Sequence, residues 1–440
     1  MKKIYKLSNK DLKSIKSNHS HRVLLISHEM SQTGAPRALV YMALVMRKRG
    51  IEPVFLSDQY GPLAKEISDL GFKVVIEPLM NYVLSDKNSL LYLYVSQFDT
   101  IVFNTIVCSP LIIKMDSIPV KKVLWLHEGS MSYEHYDVAY DLNIIYNRFD
   151  YIYCVGDYSK SFAEKYVDGK NLGILYYGIP DLAEGLQKIK KEEPIKFIIA
   201  GTICKRKAQD LLIKSLFLVS ENIRERIEIN VVGEPIGSRI VEEVKDSPFS
   251  CVKYLGPMEH DELMKLYLDM DYILCPSLDD PMPIVCTEGM MFSKVVMVSE
   301  ATGTASLIKN GETGYRFPAG DEKALAKAIE SAVLDYSDKY HEMGMRSRVI
   351  FEENFAMAKF EDSVYRKIIE VPKSDIPNMP AKRSLLSEKE EFRIVKNAIK
   401  NSRLTRKEAY YILKLYLAEH RYKSHKIVMK YIWYRWIKKV

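Results

Sequence analysis

The chain has 440 residues, 47% of them apolar and 28% charged, with a net charge of +7. That length implies two to three domains, and no apolar run reaches the roughly 18 residues that a membrane-spanning helix needs. The charge is uneven: residues 382–440 carry seventeen Lys/Arg and five Asp/Glu, a net of +12, which leaves −5 for the rest. A mildly acidic body without a recognition motif argues against nucleic acid as a partner, whereas the basic tail suits an anionic surface. The Lys-rich first twenty residues lack the apolar segment of a secretory signal. Cys108, Cys154, Cys204, Cys251, Cys275 and Cys286 are scattered, with no Cys-x-x-Cys pair, and read as free thiols in a reducing cytosol.

Taken in chain order, a basic extension (1–20) precedes a continuous apolar run at 23–26, the pattern of a strand covered on both faces. Thr33-Gly34-Ala35-Pro36 then opens a helix that runs through Arg49 and stops at Gly50. Further short buried strands are predicted at 53–56, 73–76, 100–103, 123–126 and 151–155. Strands alternating with helical segments argue for a parallel, doubly wound sheet over 21–184. A polar, charged stretch at 185–194 reads as a linker. The alternation restarts over 195–371, with strands predicted at 196–200, 229–232, 252–255, 272–275 and 295–298. Asp321 is the expected N-cap of a helix whose apolar stripe includes Leu325, Ala328, Ile329, Ala332 and Val333. A Pro-marked spacer and a basic helical tail follow over 372–440. Within the tail, Thr405 and Glu408 form a capping box, and Tyr431, Trp433, Tyr434 and Trp436 lie among cations.

Two clusters could carry chemistry. Asp279, Asp280 and Glu288 follow the predicted strand 272–275, and a helix opens near Ile284. Carboxylates beside a helix N-terminus, at the carboxyl end of a strand, sit where open α/β sheets bind ligands. The amides at that N-terminus, around Pro283, Ile284 and Val285, suit a diphosphate. Equally, Asp279 or Asp280 could simply cap the helix. In the second cluster, Gly201 and Thr202 precede Arg206 and Lys207 just after the strand 196–200. Small residues followed by paired cations suit a phosphate site, and also describe a solvated basic turn. Asp269-Met270-Asp271 precedes a strand rather than following one and reads as a helix end; no metal site is expected.

These segments resemble the retaining GT-B glycosyltransferases of glycosyltransferase family 4 (GT4). Asp280 and Glu288 match that family's Glu-x7-Glu pair, with Asp in place of the first Glu. Ala301-Thr302-Gly303 and Asn310-Gly311-Glu312-Thr313-Gly314 match the turns downstream. Gly201 to Asp210 matches the family's phosphate-binding segment, with Lys207 in the lysine position, Thr202 where an Arg is usual and Ala208 where a second Gly is usual. Gly34-Ala35 matches its N-terminal Gly-rich loop, His127 its sugar-pocket His, and Tyr177-Gly178-Ile179-Pro180-Asp181 the element before the interdomain linker. Ser306 stands near where the family carries a further Glu.

The resemblance covers about residues 22–370. It implies two Rossmann-like domains facing a cleft and transfer of a sugar from a UDP- or GDP-linked donor to a saccharide or lipid-linked acceptor. Glu288 would bind the ribose hydroxyls, Asp280 would approach the donor sugar and His127 would bond its distal hydroxyl. Gly34, Ala35, Gly201, Thr202, Arg206, Lys207 and the helix start at Pro283, Ile284 and Val285 would hold the diphosphate. No cofactor or metal is expected, because cations replace the metal. The location implied is cytoplasmic, with the tail on the inner face of the cell membrane. Two rival readings share the architecture: a catalytically degenerate partner subunit and a nucleotide-sugar epimerase.

Overall fold

The structure, a computed structural model, describes residues 21–374 apart from 79, 168–170, 184–192 and 237–238, together with residues 4, 5, 7 and 12. Most of the N-terminal extension, the linker from 185 to 192 and the tail from 375 onward lie outside the described residues.

Among the described residues fourteen strands form two sheets. The first has the order β1-β4-β3-β2-β5-β6-β7-β8. Its strands are β1 (Ile4–Tyr5), β2 (Val23–Ser27), β3 (Val54–Ser57), β4 (Lys73–Ile76), β5 (Thr100–Asn104), β6 (Lys121–Leu126), β7 (Tyr151–Cys154) and β8 (Leu172–Ile174). From β1 through β5 every pairing is parallel. The second sheet has the order β11-β10-β9-β12-β13-β14 and is parallel throughout. It comprises β9 (Ile195–Ala200), β10 (Ile227–Val232), β11 (Val252–Gly256), β12 (Tyr272–Cys275), β13 (Val295–Ser299) and β14 (Gly314–Phe317).

Continuous apolar runs explain why these segments become interior strands. Val23, Leu24, Leu25 and Ile26 are all fully buried, as are Val295, Val296, Met297 and Val298, which requires cover on both faces and hence helices between successive strands. The second core gathers Phe197, Ile199, Leu212, Ile229, Leu274, Phe317, Leu325 and Ile329. The strands beyond expectation are β1, β8 and β14. β1 has two residues and β8 three, and β14 carries an exposed Arg316. Edge strands need cover on fewer sides, so they do not leave a long apolar run in the sequence.

By contact the described residues fall into two compact units. One runs through Leu124 and takes in His135–Ile152 and the residues from Pro372; the other comprises Trp125–Glu134 and Tyr153–Val371. No disulfide joins any of the six cysteines. No helix among the described residues is long and apolar enough to cross a membrane.

The helix Glu322–Leu334 begins where its cap predicts: the Asp321 carboxylate accepts from the backbone N–H groups of Lys323 (3.0 Å) and Ala324 (2.9 Å). Asp321→Ala is expected to lower the unfolding free energy by about 1 kcal/mol, read from urea denaturation.

Candidate functional site

In the second sheet the strand order reverses between β9 and β12. They pair only at Phe197↔Tyr272 and Ile198↔Ile273, although β9 continues to Ala200 and β12 to Cys275. Two parallel strands that part toward their carboxyl ends, with connections leaving in opposite directions, create the crevice in which open α/β sheets hold ligands. Both sequence-predicted clusters emerge there.

The loop after β9 is shaped by close backbone approach. Gly201 has φ +126°, a conformation that favours glycine, and a Cβ on Gly233 would lie 1.9 Å from the Gly201 carbonyl oxygen. Gln209 braces the loop by donating to the Thr202 carbonyl (3.0 Å) and accepting from the Cys204 N–H (3.3 Å). Ala208, where the resemblance expects Gly, has φ +53° and ψ +43° and precedes the helix Gln209–Leu216. That left-handed conformation costs a non-glycine residue about 1–2 kcal/mol. The loop thereby turns Arg206 and Lys207 toward the segment after β12.

The adjacent Asp279 and Asp280, both buried, diverge completely in role. Asp279 accepts from the N–H groups of Ser130 (3.2 Å) and Met131 (3.0 Å) and from the Tyr158 hydroxyl (3.0 Å). It therefore caps the helix Ser130–Ala139 from about 150 residues away. Gly129 makes this possible, because a Cβ there would lie 1.9 Å from Asp279 Oδ1. Burial, then the Asp279 charge, push the Tyr158 phenol up to about 12, so it remains a donor.

Asp280 instead forms an ion pair with Lys207 and lies 3.9 Å from Arg206. Its backbone is fixed on both sides, with its N–H on Ala301 O (3.0 Å) and its carbonyl accepting from Gly303 N (2.9 Å). Burial opposes the charge on Lys207, but Asp280 outweighs it with help from Cys275, so the ammonium titrates above its ordinary value. Arg206 donates to the Asp279 carbonyl at 2.6 Å. Neither carboxylate caps the helix Ile284–Met291; Pro283 occupies that N-cap position. The first-turn amides of this helix, Ile284 and Val285, have no carbonyl one turn earlier within it.

Glu288 sits on that helix, 4% exposed. His260 Nε2–H donates to its Oε1 (2.9 Å) and the Tyr267 hydroxyl to its Oε2 (3.3 Å). Four residues past Ile284, it stands about 6 Å further along the helix axis. The element around 177–181 buttresses the same helix: the Tyr177 hydroxyl meets Thr287 Oγ1 (3.0 Å), and Arg348 joins Asp181 (3.0 Å) to the Met291 carbonyl (2.6 Å). Arg348 in turn holds the Asp181 carboxyl below its ordinary value.

His127 lies in the same unit, half-buried, its ring edge-on to Trp125 at 4.4 Å. Gly34 and Ala35 belong to the other unit, at the start of the helix Gly34–Lys48. Thr33 makes no side-chain cap there, no atom comes within 4 Å of a Cβ built on Gly34, and the Ala35 carbonyl accepts from Asn104 Nδ2 (3.0 Å). Ser306, near where the resemblance expects a further Glu, donates to Gly303 O (3.1 Å). Sequence reasoning missed Tyr158, His260 and Tyr267. The last two are seven residues apart on the helix His260–Leu268, a spacing that sets side chains on one face. Nothing in the sequence links Tyr158 to Asp279.

Parallel sheet, switch-point crevice, phosphate-type cations and a carboxylate pair eight residues apart are the features of the GT-B architecture. Residues 19–166 match the model described as Glycosyl-transferase family 4, and residues 184–349 the one described as Glycosyl transferases group 1. The chain belongs to the family 4 glycosyltransferases. It is 24% identical over 148 residues to D-inositol 3-phosphate glycosyltransferase of Streptomyces bingchenggensis, covering 31% of this chain and 32% of that protein. It is 32% identical over 104 residues to alpha-maltose-1-phosphate synthase of Mycolicibacterium smegmatis, covering 22% and 27%. Each match thus spans about a third or less of the relative's own length. Among solved structures, Anabaena Alr3699/HepE in complex with UDP and glucose superposes with a TM-score of 0.63 at 17% identity, covering 79% of this chain and 99% of that one. That likeness shows the fold.

The contact between Asp279 and Gly129 yields a coupled prediction. Asp279→Ala and Gly129→Ala should each destabilise by about 2–4 kcal/mol, through uncapped buried amides and a steric clash respectively. The double variant should fall well short of the sum, because removing the carboxylate removes the clash. Urea unfolding of all four proteins measures the coupling.

Proposed function

We propose that the chain transfers a sugar from a UDP- or GDP-linked donor to a saccharide or lipid-linked acceptor, with retention at the anomeric carbon, in cell-surface glycan synthesis. The observation that carries this reading is the division of labour along one loop and helix. Lys207, Arg206 and the helix start at Pro283 offer positive potential, and about one turn further on Glu288 offers carboxylate oxygens. An anion is held at the first position and hydroxyl donors at the second, which is how a diphosphate and its ribose succeed one another along a nucleotide. The UDP and glucose named for the Anabaena structure are in keeping with such a donor.

In this mechanism the donor's diphosphate competes with Asp280 for Lys207. As the bond from the anomeric carbon to the diphosphate breaks, negative charge grows on the leaving oxygen beside Lys207, Arg206 and the helix amides. Fixed charges aimed at developing charge are usually the largest catalytic contribution. Asp280, released from the lysine, meets the sugar hydroxyls, and His127 the distal one. Because side-chain cations neutralise the phosphates, no metal is required.

A panel of nucleotide sugars tests the reading. At least one should be turned over, equally well in EDTA, and Lys207→Ala should weaken nucleoside diphosphate binding by about tenfold or more. Loss of all turnover in EDTA, restored by magnesium or manganese, would overturn the metal-free mechanism. Absence of turnover across the panel would overturn the reading itself.

The tail, residues 382–440, is proposed to dock the enzyme on anionic lipid at the inner membrane face, on the strength of its +12 charge and its aromatic residues. A truncation after residue 371 should bind nucleotide unchanged but lose its low-salt co-sedimentation with phosphatidylserine vesicles. Equal, salt-insensitive partitioning of both forms would refute docking.

A further inference from the structure

Glu288 is almost fully buried, and a carboxylate in that setting needs hydrogen-bond donors to hold it in place. It has two from the protein. One is the Tyr267 hydroxyl; burial first, and then the charge of Glu288, raise that phenol far above its ordinary value, so it stays a donor. The other is the His260 ring at the shorter distance of 2.9 Å. The two donors differ in their surroundings. Tyr267 is wholly buried, and its ring packs near Phe292. The His260 side chain is 60% exposed, on the first residue of the helix His260–Leu268.

A carboxylate offers about four lone-pair sites, two on each oxygen. His260 takes one on Oε1 and Tyr267 one on Oε2, so each oxygen keeps one. A carboxylate fixed in this way presents a matched pair of acceptors, the complement of two adjacent hydroxyls. We propose that His260 is a positioning residue for nucleotide recognition: by holding Glu288 Oε1 it orients the carboxylate toward the vicinal hydroxyls of the donor's ribose and so sets the preference for ribonucleotide over deoxyribonucleotide. This rests on Glu288 being the ribose-binding carboxylate. Without His260, Oε1 loses its fixed partner, the carboxyl group rotates more freely and the paired geometry is lost, while the diphosphate contacts at Lys207 and Arg206 are untouched. A Gln at 260 carries an N–H on a side chain of similar reach and should restore the bond.

The experiment is calorimetric titration of UDP and GDP, each beside its 2′-deoxy counterpart, into the wild type, His260→Ala, His260→Gln and Glu288→Gln. His260 is exposed, so its substitution should leave the fold intact, which circular dichroism checks. The wild type should prefer the ribo form of its nucleotide by about tenfold or more, the size of one hydrogen bond to a charged group. His260→Ala should narrow that preference to within about threefold, with affinity for the deoxy form unchanged, and His260→Gln should restore it. An Ala variant that keeps the full preference, or a Gln variant that fails to restore it, overturns the role of His260. If Glu288→Gln keeps the preference, if the wild type shows none, or if it binds neither nucleotide, the reading of Glu288 fails, and the inference with it.

Discussion

Two adjacent carboxylates in a buried loop repel each other and share a desolvation cost, so each needs its own positive partner. At residues 279 and 280 the chain meets that requirement in opposite directions. Asp279 neutralises the first amides of the helix Ser130–Ala139 and receives the Tyr158 hydroxyl, while Asp280 meets Lys207. Much of the site geometry depends on this division. Gly129 must lack a side chain to let Asp279 in, Gly303 must lack one to pass the Pro281 carbonyl at 1.7 Å from where its Cβ would be, and the loop after β9 must turn tightly to bring up the lysine.

The same division places unlike potentials along one short path. Lys207 and Arg206 meet Asp280 four residues before the helix Ile284–Met291 begins, and the fixed carboxylate of Glu288 stands about one turn into that helix. A ligand with phosphates at one point and hydroxyls at the next fits that sequence of charges, whereas a polyanion would be repelled at Glu288. The departures from the family pattern also acquire physical content. Ala208 holds a left-handed backbone that glycine would hold without strain. Arg206, bound to the Asp279 carbonyl and 3.9 Å from Asp280, supplies a guanidinium near the lysine although Thr202 has none to offer.

The division of the chain into alternating strands and helices was legible because a strand covered on both faces must be apolar throughout. The runs at 23–26 and 295–298 could hardly be anything else, and the strand at 272–275 has the predicted bounds. β8 and β14 were not legible, since edge strands place fewer demands on composition. The Asp321 cap was visible because it is a local hydrogen bond, decided within three residues.

The sequence by itself thus determined the alternation of elements, the family resemblance and the candidate residues Asp280, Glu288, Arg206 and Lys207, all of which depend on periodicity or on spacing within one segment. It left open whether Asp279 or Asp280 caps the helix that follows, and the structure answered in a form that spacing could not express: neither does, and Asp279 caps a helix some 150 residues away instead. Only the tertiary structure decided that, along with the pairing of Asp280 to Lys207 and of His260 to Glu288 across 73 and 28 residues. The Asp280–Lys207 contact follows from the order of strands in the second sheet, which brings the loops after β9 and β12 together at a switch point without leaving any periodic trace in the chain.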